Sequence, residues 1–66
     1  MRVWDCEIWT VLSKKDSDYW EHWSTLTVRA DTIEEAIQKA LVEMKDYKFY
    51  KVEVRKAELI REIDVE

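Results

Sequence analysis

The 66-residue sequence contains no glycine and no proline, where average usage would supply about eight of the two together. Phosphate-cradling loops of the P-loop and dinucleotide-binding kinds are built on glycine, so both are excluded. Tight turns that need a positive φ are disfavoured, and loops have to be made from Asp, Ser and Lys instead. Cysteine and histidine occur once each, as Cys6 and His22. An internal disulfide is therefore excluded, and nothing supports a structural zinc site, so no metal and no cofactor are expected. No apolar run approaches the ~20 residues of a membrane span, and "MRVWDCEIW" lacks the apolar core of a signal peptide. The expectation is a soluble chain in a reducing cytoplasm, where a lone thiol behaves as a small hydrophobe. A basic block is missing too: 11 Lys and Arg against 15 Asp and Glu give a net charge of −4, with the signs interspersed. That disfavours duplex DNA as a partner, and the acidity is too slight to imitate DNA.

What is present reads as one small α+β domain over residues 1–66. A chain of this size buries only about 60% of its unfolded surface, so it depends on good packing or on association. Residues 2–12, "RVWDCEIWTVL", alternate, with Trp4, Cys6, Ile8 and Leu12 on one face and Val3, Asp5, Glu7, Trp9 and Val11 on the other; this is strand patterning. Residues 19–30, "YWEHWSTLTVRA", alternate likewise, with Trp20, Leu26, Val28 and Ala30 on one face and Trp23, Thr25, Thr27 and Arg29 on the other. The polar "SKKDSD" between them suggests a hairpin. Matching the apolar faces sets Cys6 opposite Leu26, Trp4 opposite Val28, Ile8 opposite Ser24 and Thr10 opposite His22. The same register puts Trp9 opposite Trp23 on the second face.

The stretch "DTIEEAIQKALVEMKDYK" carries a capping box, Thr32 with Glu35, followed by a helical stripe of Ile33, Ala36, Ile37, Ala40, Leu41 and Met44. Val42 alone falls outside the stripe. Glu35 and Lys39 form a favourably oriented i,i+4 pair. In the tail "FYKVEVRKAELIREIDVE", Tyr50, Val52 and Val54 share one parity, whereas Ala57, Leu59, Ile63 and Val65 share the other. A β-bulge near Arg55 and Lys56 would restore one apolar face to a long strand, a reading preferred here to a short helix over "RKAELIREI". The order is then β-β-α-β: a three-stranded antiparallel sheet with strand order 2-1-3, one helix on one face, and the opposite face open.

That open face directs the functional reading. Trp9 and Trp23, with Val3, Val11 and Thr25 nearby, are the candidate protein-binding residues, because exposed tryptophan gives up stabilisation a core could have used and is enriched at interface hot spots. A cross-strand aromatic pair that steadies the hairpin would explain them structurally. An alternative is a single-stranded nucleic-acid binder that stacks bases on Trp9 and Trp23 and holds phosphates with Arg29, Lys51 and Arg55, the aromatic-rich "DYKFYK" contributing. Catalysis has little support. Cys6 and His22 fall on the helix side, four residues apart in the register, and Asp16, Asp18 and Glu21 lack the spacing of a calcium loop.

The order "DSDYWEHW…RADTIEEAIQKALVEM" resembles the N-terminal part of HicB-type antitoxins, in which a hairpin precedes such a helix, and the resemblance implies an antitoxin-like partner. The glycines and prolines of that family are missing, as is room for its DNA-binding tail. The leading expectation is a non-enzymatic interaction module, self-associating (a homodimer) or blocking a larger host protein, in the manner of small phage or mobile-element inhibitors.

Overall fold

The computed structural model describes residues 2–62, apart from the Asp16 side chain. Strand β1 is Arg2–Val11, β2 Glu21–Ala30, helix α1 Ile33–Glu43 and β3 Lys51–Glu62. Short 3₁₀ turns at Lys14–Asp16 and Met44–Asp46 take the place of glycine-dependent turns. No described residue has a positive φ, in keeping with a chain that has no glycine. The sheet order is β2-β1-β3, and β1 is antiparallel to both neighbours. This is the α+β arrangement expected from the sequence.

The helix starts where the capping box puts it. The Glu35 amide donates to Thr32 Oγ1 at 3.2 Å, and Lys39 pairs with Glu35 at 3.4 Å. Ala36, Ala40 and Met44 are buried against Trp4, Cys6, Ile8 and Ala30, with Leu26, Val28, Val52, Val54 and Ala57 packed around them. Two alanines on the buried helix face let α1 approach the sheet closely. Trp4 secures the strand ends, its indole N–H donating to the Ala30 carbonyl at 2.9 Å.

The long third strand is bulged. Arg55 has no partner between the Ile8–Val54 and Glu7–Lys56 pairs, and Ile60 has none between Val3–Arg61 and Trp4–Leu59. The first bulge lies where the apolar parity changes, and it turns Val54 and Ala57 to the same side. The second was not foreseen. Ile63 and Val65, assigned to the strand by pattern, lie outside the described residues.

The hairpin register holds for Trp4–Val28, Cys6–Leu26 and Ile8–Ser24 and then shifts. Trp9 pairs with His22 and Thr10 with Glu21, leaving Trp23 as the extra residue of a bulge. Thr10 opposite His22 and Trp9 opposite Trp23 are therefore corrected. A one-residue bulge reverses side-chain parity beyond it, so Trp20 and His22 join Trp9 on the open face and Trp23 turns to the helix side.

Candidate interaction surface

The open face is organised around Trp9. Its indole N–H donates to Glu7 Oε1 at 2.7 Å, and its ring meets His22 edge-on with centroids 5.5 Å apart. The Arg55 guanidinium lies 4.4 Å from the Trp9 centroid and 5.2 Å from that of Trp20, so one cation rests against two rings. Around this group the polar side chains pair among themselves. Thr27 donates to Asp5 at 2.7 Å, Arg55 bonds Glu53, and Lys56 meets Glu58 at 3.1 Å. The face is uncovered, yet its chemistry is largely satisfied within the chain.

The protein-binding residues expected on this face are only partly assembled there. Trp9 is half-buried and Thr25, opposite Glu7, is exposed. Val3 and Val11 are buried, at 4% and 0% exposure, because they lie on the middle strand between longer side chains: Arg29 and Arg61 flank Val3, and Lys51 stands opposite Val11. Trp23 packs on the other side, in edge contact with Tyr47 at 4.8 Å and Phe49 at 5.8 Å, against the core. Val3, Val11 and Trp23 are thus corrected from surface anchors to packing residues.

The cations proposed for nucleic acid are not brought together. Arg29 stands opposite Val3 on β2, and Lys51 opposite Val11 on β3. Eight positions of β1 separate them, roughly 27 Å, and Arg55 between them is taken up by Glu53 and the two rings. Cys6 and His22 also part company. Cys6 is fully buried on the helix side, its thiol donating to the Ala36 carbonyl at 3.8 Å, while His22 is exposed on the open face. Burial, and secondarily the Asp5 carboxylate, push the Cys6 thiol pKa up, which disfavours a nucleophilic thiolate. Among the described residues no group of three or more His, Cys, Asp or Glu is placed to hold a metal.

The two sheet edges differ sharply. β3 carries Lys51, Glu53, Arg55, Lys56, Glu58, Arg61 and Glu62 along its length, together with two bulges. Charges and bulges are the usual means by which proteins keep an edge from pairing with another chain. β2 has ten residues and only two full charges, Glu21 and Arg29, near its ends. Between them Ser24–Thr25–Leu26–Thr27–Val28 is uncharged, rich in β-branched residues and regular in register with β1.

Beside this edge, between β2 and α1, runs an open groove of about 530 Å³. Leu26, Val28 and Val42 supply its apolar lining, and Arg29, Glu35, Lys39 and Glu43 its charged part. The position that breaks the helical stripe, Val42, is 55% exposed and lies here. The contrast between a sparsely charged second strand and a heavily charged third, which marks this surface, is already present in the sequence. No protein family, curated protein or solved structure matches the chain, and among the described residues no helix is long and apolar enough to cross a membrane.

Proposed function

We propose that this chain is a non-enzymatic protein-interaction module of the cytoplasm that docks its partner at the β2 edge, by strand addition. The observation that carries this reading is the asymmetry of the two edges. β3 has the features that prevent edge pairing, whereas β2 offers five uncharged residues in regular register beside an apolar groove. In strand addition the backbone supplies affinity, and alternate side chains entering a neighbouring groove supply specificity. The open face is the weaker candidate, because the Trp9 cluster and its charged neighbours already satisfy one another.

A comparison of variants tests this reading. Thr25→Lys and Val42→Glu alter exposed positions at the edge and in the groove, and each should abolish recovery of a partner from cells. Arg55→Ala, on the open face, should leave recovery intact. Loss with Arg55→Ala and retention with the other two would move the docking surface to the open face. A partner that is nucleic acid, released steeply by salt, would overturn the protein-binding reading itself.

A further inference from the structure

We propose that the strand received at the β2 edge is the β2 of a second copy, paired antiparallel about a two-fold axis at Leu26, so that two three-stranded sheets become one of six. The proposal rests on the β2 edge being the docking surface, and it adds the occupant and the register.

The β2 edge is self-complementary. In a two-fold antiparallel pair centred on Leu26, Thr25 faces Thr27 of the other copy and Ser24 faces Val28, so every uncharged residue of Ser24–Val28 opposes an uncharged one. A shift of the axis to Thr25 sets Thr27 against the bulged Trp23, and a shift to Thr27 sets Thr25 against Arg29. The Leu26-centred register also preserves the faces. Leu26 and Val28 of both copies stay on the helix side, where Leu26 meets its own symmetry mate, and the two helices lie over the same face. The groove beside Val42 is then closed from both sides. Each chain carries a net charge of −4, and the paired residues Ser24–Val28 themselves set no like charges against each other.

Size agrees. Ten residues of edge are about 34 Å long, and the molecule is 16–18 Å across its short axes. Each copy therefore covers roughly 600 Å² and the pair roughly 1,200 Å², above the ~1,000 Å² of a specific interface and below the size of obligate dimers. A dissociable dimer is the expected state.

Sedimentation velocity across a concentration series, combined with cysteine pairing, tests it. The chain should dimerise reversibly, and Thr25→Lys with Thr27→Lys, which sets like charges opposite each other twice, should weaken the dimer about tenfold or more. Thr25→Cys mixed with Thr27→Cys should cross-link far faster than either alone, since directly opposed Cβ atoms in a ladder lie within disulfide reach. Cys6 is buried and stays out of the reaction. Cross-linking without preference for the mixed pair overturns the register. A chain that remains monomeric overturns self-pairing, and a labelled peptide of residues 21–30 then separates the cases. A monomer whose β2 edge binds the peptide or loses its partner on Thr25→Lys keeps strand addition with another protein as partner, whereas a monomer that ignores the peptide and keeps its partner on Thr25→Lys overturns both readings.

Discussion

Arg55 reaches the open face from a bulge, and its guanidinium stands 4.4 Å above the ring of Trp9. The bulged position re-aims a charged side chain of the outer strand onto an aromatic ring of the middle one. The large side chain that alternation turns away from the core is therefore partnered within the chain: Glu7 takes the indole N–H, His22 the ring edge, and Arg55 the ring face. This is the structural role that a cross-strand aromatic pair would have played, performed by a different set of residues.

Removing that cation should cost stability and leave association alone. Arg55→Ala is expected to lower the free energy of unfolding by about 1 kcal/mol, the scale of an exposed cation–π contact, seen as a lower urea midpoint at unchanged slope. An unchanged midpoint would mean that the contact contributes nothing in solution.

Trp23 should behave differently from Trp9. Its ring packs on Tyr47 and Phe49 against the core, so Trp23→Thr should destabilise by about 3 kcal/mol. Thermal unfolding monitored by circular dichroism would show the loss. A variant as stable as the parent would return Trp23 to the surface.

The difference between these two tryptophans marks the limit of what the residues alone could tell. The β3 bulge at Arg55 was legible because Val52 and Val54 differ in parity from Ala57 and Leu59, and only an extra residue reconciles them. The β2 bulge left no such mark. Trp20, His22 and Trp23 sit acceptably on either face of a half-buried sheet, so parity could not reveal which residue was extra. The helix start was fully legible, since Thr32 and Glu35 settle it locally. Burial of Val3 and Val11 was not, because it depends on the taller residues the register sets beside them. The β2 edge left a plainer mark than the tryptophans, the near absence of charge between Glu21 and Arg29.

The hydroxyl of Thr10 is fully buried and has no hydrogen-bond partner among the described residues. An unsatisfied buried hydroxyl costs about 1–3 kcal/mol, and valine keeps the shape while removing it. Thr10→Val should therefore raise stability by about 1 kcal/mol in chemical denaturation. A loss of stability would indicate that the hydroxyl finds a partner in solution.

Cys6 should make stability depend on pH on the alkaline side. Its folded pKa is raised by burial and by Asp5, so below about pH 8.5, the ordinary thiol value, both states keep the proton and its contribution is intact. Above that value the unfolded state ionises first, and stability falls until the folded pKa is passed. The parent should lose more stability than Cys6→Ala between pH 8 and 10 (about the accessible alkaline range), and the native thiol should react slowly with a thiol reagent. Parallel pH curves together with fast native labelling would place Cys6 at the surface.

Amide hydrogen exchange, measured on dilute and on concentrated protein, separates a receptive β2 edge from a protected β3 edge. Those amides of Ser24–Val28 that do not already bond β1 should become slower to exchange as concentration rises, while those of Lys51–Glu62 should not change. New protection along β3 with none along β2 would contradict that assignment of the edges, and exchange independent of concentration along both edges would remove self-pairing.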